Sequence, residues 1–360
     1  MNGRWKRFAR LVQVCVPSLL LAGTVLGAPK KNNGPTLTPQ VSGTTNRLQA
    51  VSPVNSQVVW ASGTGGTYAL TTDGGETWVS AQVPGAETLE FRDVEGVSAE
   101  VAYLMAAGPG NASRIYKTVD GGANWSLQIQ NTDPAGFYDC FAFWTPTTGL
   151  TMADSVAGRL PVLRTLNGST WQDIGDKLPP ALPGGEFAFA ASGTCVTTVN
   201  KKWAWISTGS TTETRILATT DKGETWNAYP TPIAAAPSGA AGVFSVDFRN
   251  PEHGVIGGGD FLGTTVIDNF ARSKDGGKTW ELTTDAPIPG AIFGLSYTGS
   301  AGGYPKTVVA TGPGGAAWTP DEGDTWHLLD GVAGYWAVAF ASPDAGWFVG
   351  TQGRILKISF

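Results

Sequence analysis

The sequence predicts an all-β fold, a seven-bladed β-propeller of four-stranded antiparallel blades whose last blade is closed by an N-terminal strand. Three observations predict it. The stretch Thr71-Thr-Asp73-Gly-Gly75-Glu-Thr77-Trp78 returns five more times, at residues 118–125, 165–171, 219–226, 273–280 and 319–326. Its Asp or Asn falls at 73, 120, 167, 221, 275 and 321, with spacings of 47, 47, 54, 54 and 46 residues, the length of a propeller blade. The composition, with 49 glycines, 10% aromatic and only 15% charged residues, supplies short Val/Ile/Thr/Phe/Trp runs between turn residues, which read as strands.

At the N-terminus, Arg4, Lys6, Arg7 and Arg10 precede an apolar run from Leu11 to Gly27. A basic n-region, a short apolar stretch and small residues at its end are the layout of a secretory signal peptide over residues 1–28. The run contains Pro17 and is short for a membrane span, so the chain is expected in a secreted or periplasmic compartment with no span after cleavage. Residues 29–46 read as a linker and closing strand, and residues 47–360 as the propeller.

Each period repeats one order of four strands, here A to D from the axis outward. The fifth shows it in Phe244–Phe248, the run from Gly254, the run from Ala271 into the box, and Trp280-Glu-Leu. After the sixth box the pattern restarts at Tyr335, continues through Gly346–Gly350 and stops at Arg354-Ile-Leu-Lys-Ile358 without a box. Three strands of a seventh blade are present, and a closed ring requires the fourth from the segment around 36–45.

Within a box, an Asp two residues after Ser/Thr is placed to accept backbone N–H bonds and hold a tight turn. Gly75, Gly122, Gly223, Gly277 and Gly323 supply the positive φ of that turn. The Trp then buries its ring between strands. Asp73, Trp78, Asp120, Trp125, Asp221, Trp226, Asp275, Trp280, Asp321 and Trp326 are therefore structural. Two copies deviate, with Asn124 in place of Thr in the second and Asn167 in place of Asp in a third that is one residue short. Looser turns are expected there.

The box resembles the Asp-box, or BNR repeat, of sialidases, sortilin-type receptors and the photosystem II stability and assembly factor family, and covers nearly the whole mature chain. The stretches Gly108-Pro-Gly-Asn-Ala-Ser-Arg114-Ile-Tyr, Phe137-Tyr-Asp-Cys140 and Ala191-Ser-Gly-Thr-Cys195 resemble the bacterial and plant relatives of the assembly-factor group. That resemblance implies a propeller that binds or assembles a protein partner.

A sialidase-like site would need three arginines clamping a carboxylate, a Tyr-Glu pair and an Asp acid/base. Arg114, Arg215 and Arg354 share one repeat position, and Arg164 and Arg272 share another with Lys117 and Lys357, so these read as repeat architecture. Arg249 follows strand A toward the box face, and the early Arg-Ile-Pro signature is absent. Only His253 and His327 are present, too few for a His-rich metal cluster. No Gly-x-Gly-x-x-Gly joins a strand to a helix. No cofactor or metal is expected. A net charge of −5 gives no footprint for nucleic acid. After the signal, Cys140 and Cys195 are compatible with one disulfide or with two buried small hydrophobes.

The boxes lie in the C-to-D turns and mark one face, so a ligand site is expected on the opposite face, around the channel mouth. The repeat alignment places Arg92, Asp93, Asp139, Glu186 and Asp247 there from the starts of blades, and Asp154, Arg159 and Asp260 from B-to-C loops. The expected function is an exported, monomeric, non-catalytic scaffold that binds a protein through this loop face. The alternative is a carbohydrate-active protein, a lectin or a glycosidase, pairing Glu186 with Asp154 or Asp93.

Overall fold

In a computed structural model, which describes residues 34–299 and 306–360, the chain forms seven four-stranded antiparallel sheets. The expected signal segment lies outside the described residues. The inner strands A are Leu48–Pro53, Phe91–Gly96, Tyr138–Thr145, Val196–Val199, Ala241–Phe248, Gly294–Tyr297 and Tyr335–Ser342 for blades 1 to 7. Each touches the inner strand of the next blade, and that of blade 7 touches that of blade 1, which closes the ring.

The seventh sheet contains strands from both ends of the chain. Thr36–Val41 pairs antiparallel with Arg354–Ser359 over six residues, from Thr36 opposite Ser359 to Val41 opposite Arg354. Its side chains are mostly exposed, so the ladder itself holds it, helped by Gln40. The Gln40 amide donates to Gly74 O (3.3 Å) and accepts from Trp78 Nε1 (3.0 Å), both in the first box. No described helix is long and apolar enough to cross a membrane.

A twisted four-stranded sheet is covered only by its neighbours, so the core should lie between blades. Seven apolar clusters each join two adjacent blades, one per interface. Trp60, Trp205 and Trp347, all on strands B, are fully buried in them. Polar pins cross the same interfaces. Trp205 Nε1 donates to Gly276 O (2.9 Å) and Tyr68 Oη to Gly122 O (2.8 Å), each in the next blade's box. The repeated strand-C cation does the same, with Lys117 on Gly168 O (3.1 Å), Arg164 on Lys222 O (2.8 Å) and Lys357 on Gly74 O (3.1 Å). Arg272 instead reaches Asp324 (2.8 Å).

The box turn works through two acceptors. In the first copy, Thr71 Oγ1 accepts from Gly75 N (2.9 Å), while Asp73 accepts from Thr77 N (2.9 Å) and Thr77 Oγ1 (2.5 Å). These donors hold the Asp73 carboxyl down at about 2. The expectation of looser turns in the deviant copies is corrected. Asn124 gives Asp120 one backbone and one side-chain N–H, both at 2.8 Å. Asn167 Oδ1 accepts from Ser169 N and Thr170 N, both at 2.9 Å. An amide supplies the same donors or acceptors as the residue it replaces. Burial of the box tryptophans is also narrower than expected. Trp78 and Trp226 are buried, whereas Trp125, Trp171, Trp280 and Trp326 are partly exposed, because the outer strand has solvent on one side.

Candidate functional site

One register irregularity builds the site. In blades 1, 2, 3, 5 and 7 the pairing of strands A and B skips a residue at Gln49, Arg92, Asp139, Phe244 and Trp336. Phe293 lies in the same place in blade 6, just ahead of its strand A, and its N–H donates to Thr311 O (2.9 Å). A bulge turns one side chain out of the strict in-out alternation. The side chains of Arg92, Asp139, Phe244, Phe293 and Trp336 converge on one recess of about 370 Å³ at the mouth of the channel.

A segment of blade 4 floors this recess. The stretch from Ala190 to Thr194 touches opposite sides of the ring. Arg92 Nη1 of blade 2 donates to Ala190 O (3.4 Å), and Ser192 Oγ donates to Phe293 O (2.6 Å) in blade 6. Thr194 also meets Ser245 of blade 5 through its hydroxyl. Gly193 makes the crossing possible. Its φ is +78°, and a Cβ there would lie 2.3 Å from Asp93 Oδ1. Cys140 and Cys195 are joined, with Cα atoms 5.9 Å apart, which fixes the end of the segment to blade 3. A second cavity of about 240 Å³, lined by Ser192, Gly193 and Thr194 with Asp93 and Glu95, lies on its other side. The segment is therefore a plug.

The upper wall is aromatic. Phe189 stacks on Phe244 (3.7 Å between centroids, 16°), and Phe244 lies parallel to Phe293 (5.4 Å, 5°). Phe187 and Trp336 extend the row edge-on at 5.4 and 5.0 Å, and the Arg47 guanidinium caps it, 4.3 Å above Trp336. These rings form an eighth apolar cluster, at the mouth rather than between two blades. Phe261, half-exposed, borders it.

Against this wall stand Asp139 and Asp154. Asp139 is 1% exposed, and the two side chains line the same recess. Burial, then the Asp154 charge, pushes Asp139 well above the usual carboxylate range, with Arg92 and the Ala188 amide pulling the other way. Burial likewise raises Asp154 to about 6. Asp139 Oδ2 and Asp154 Oδ1 have no hydrogen-bond donor. Arg92 is engaged elsewhere, giving Nε and Nη2 to Glu90 at 2.9 and 2.7 Å.

No protein-family model matches the chain, and no curated protein matches it. Among solved structures it is similar to YCF48 from Cyanidioschyzon merolae, with a TM-score of 0.63 and 16% identity over 90% of this chain and 98% of that one. It is also similar to YCF48 bound to a D1 peptide, with a TM-score of 0.57 and 17% identity over 91% of this chain and 97% of that one. The likeness is one of fold.

Of the eight residues expected at the mouth, the recess brings together Arg92, Asp139 and Asp154. The other five lie elsewhere. Glu186, with a fully buried side chain, is held by Arg215 through Nε (2.7 Å) and Nη2 (2.6 Å), by Thr208 Oγ1 (2.6 Å) and by Leu182 N (3.0 Å). Both its oxygens are occupied, so it is a structural ion pair rather than a reactive carboxylate. Arg159 forks onto Asp173 at 2.8 and 2.9 Å and reaches Asp176 at 2.7 Å, beside a separate recess. Asp260 accepts from Leu262 N (2.9 Å) to shape its own loop.

Asp93 and Asp247 stitch blades together along the channel wall. Each accepts from the amide after it, and from one in the next inner strand. Those bonds are Val94 N and Phe141 N for Asp93, both at 2.8 Å, and Phe248 N (2.8 Å) and Tyr297 N (2.9 Å) for Asp247. Among the described residues no cluster of His, Cys, Asp or Glu is arranged to hold a metal ion. The aromatic row was missed in the sequence because Phe244 and Trp336 read as core positions of strands A, while Phe293 lies just ahead of one and Phe187 and Phe189 belong to none. The signal Phe244 and Trp336 share is the bulge of strand A.

Proposed function

We propose that this is an exported, non-catalytic propeller that docks a protein partner on the face opposite the boxes, with the aromatic recess at its centre. The observation that carries the reading is the row of five rings from Phe187 to Trp336, gathered from four blades around an open recess. Aromatic side chains set against a few polar groups are the usual anchor points of protein interfaces. A propeller of this fold, YCF48, has been solved with a peptide bound, which supports the same use here. The Cys140–Cys195 bond supports export, since disulfides persist in oxidising compartments.

The carbohydrate-active alternative is weaker as an enzyme. Glycosidases need two carboxyl groups free to act about 5 Å or more apart, whereas Glu186, the carboxylate expected to pair with Asp154 or Asp93, is sequestered by Arg215. A photo-cross-linking residue placed at Phe261, beside the recess, and at exposed Leu166, on the box face, tests the docking reading in cells. One reproducible protein adduct from position 261 and none from 166 is expected. Adducts from 166 alone, or from neither position, would overturn it.

A further inference from the structure

The recess holds two carboxylates that the chain itself leaves short of donors, and we propose that they receive the guanidinium of an arginine on the partner protein. The inference rests on the docking reading above and names the chemistry of what docks. Its first support is the pair of bare oxygens. Asp139 Oδ2 and Asp154 Oδ1 are buried without a donor, in the wall of the recess. An ionised carboxylate in such a place needs a donor or a counter-charge.

The second support is the local charge. The cations at the mouth are Arg92, on strand A of blade 2, and Arg47, just before strand A of blade 1. Both lean on Glu90, at 2.7 and 3.7 Å. Glu90 takes up one of these two positive charges, so a single guanidinium charge is left for Asp139 and Asp154, and one negative charge remains once both ionise. A monocation completes the set. The third support is shape. The wall already carries guanidinium planes on rings, Arg47 over Trp336 at 4.3 Å and Arg92 over Phe137 at 6.0 Å. A planar fork stacks on such faces and bonds two carboxylate oxygens at once, which an ammonium does not.

In the free protein burial favours the protonated form of the pair, and a bound proton stands in for the missing charge. An arriving arginine displaces it to solvent, so binding releases a proton and strengthens as pH rises. Arg92 is the charged group that acts on the pair from a neighbouring element, with Glu90 and then Arg47 behind it, and Asp154 is raised to about 6, which places the change across neutral pH.

The test uses the full chain and N-acetyl-arginine amide as probe, with the citrulline and lysine analogues beside it, followed by calorimetry and tryptophan fluorescence. Saturable binding of the arginine probe is expected, with citrulline at least about tenfold weaker and lysine weaker than arginine. Affinity should rise between about pH 5 and about pH 8 with proton release. Asp139→Asn and Asp154→Asn should each weaken binding at least about tenfold while the chain still melts cooperatively. Citrulline or lysine binding as tightly as arginine would overturn the proposal, as would unchanged affinity in both variants. Repeating the cross-linking from position 261 in the doubly substituted chain separates the two readings. An undiminished adduct sinks the arginine and leaves docking. A wild-type chain that binds the probe but gives no adduct sinks docking and leaves a guanidinium subsite.

Discussion

Asp139 and Asp154 show what sequence alone resolves at the residue scale. Both were legible as loop-face carboxylates, because the repeat register fixes which end of each strand they occupy. That they meet each other was not legible, since one enters from a bulge and the other from a loop. Glu186 looked equally exposed, and only the fold reveals Arg215 beneath it. Burial gives the pair a pH signature. A carboxyl whose folded value is raised stabilises the fold fully below its unfolded value and loses that contribution as pH rises through the folded one. For Asp154 the loss runs from the ordinary 3.8 through about 6, and the more strongly raised Asp139 extends it upward. Asp139→Asn keeps the shape and has no proton to hold. Its melting temperature should match wild type near about pH 3 and exceed it by about 2 °C or more near about pH 8. Calorimetric melts across this range check the expectation, and a constant difference between the two chains would contradict it.

Boxes and bulges divide the labour between elements. The place and turn of each box were legible, because Ser/Thr, Asp and Gly at fixed offsets admit one turn, whereas the firmness of the copies with Asn124 and Asn167, which preserve its bonds, and the exposure of most box tryptophans were not. The plug was not. Ala190-Ala-Ser-Gly-Thr194 is a run of small residues that reads as an ordinary loop, and small size is what lets it cross the channel between Arg92 and Phe293. Gly193→Ala tests that account. Alanine at φ +78° is strained, and its methyl would press on an Asp93 carboxyl already fixed by Val94 N and Phe141 N. A loss of at least about 2 kcal/mol is expected in urea unfolding. Substitution at Gly331, where φ is +76° but no atom lies within 4 Å, should cost less. Equal losses at the two sites would show that strain alone matters and that the plug is not tightly seated.

For the whole molecule, the ring was predictable because a count of strands leaves blade 7 one short, and the closing segment could only come from the other end of the chain. The structure adds the means of closure. Thr36–Val41 contributes few buried side chains, so it acts as a ladder partner for Arg354–Ser359 and, through Gln40, as a lid on the first box. Without it, the edge of Arg354–Ser359 would present unpaired N–H and C=O groups, which recruit strands from other chains, and Trp78 would lose its bond to Gln40. Closure, rather than extra core, is therefore what the segment supplies. A chain beginning at Ser42 should keep its blade interfaces and far-ultraviolet spectrum, yet unfold at lower urea than a chain beginning at Gly34. It should also self-associate with rising concentration in light scattering. Adding a peptide of residues 34–42 should reverse both effects, because the six-residue register is specified by the edge it meets. A truncated chain that stays monomeric with an unchanged urea midpoint would show that the seventh blade holds its edge without the strand.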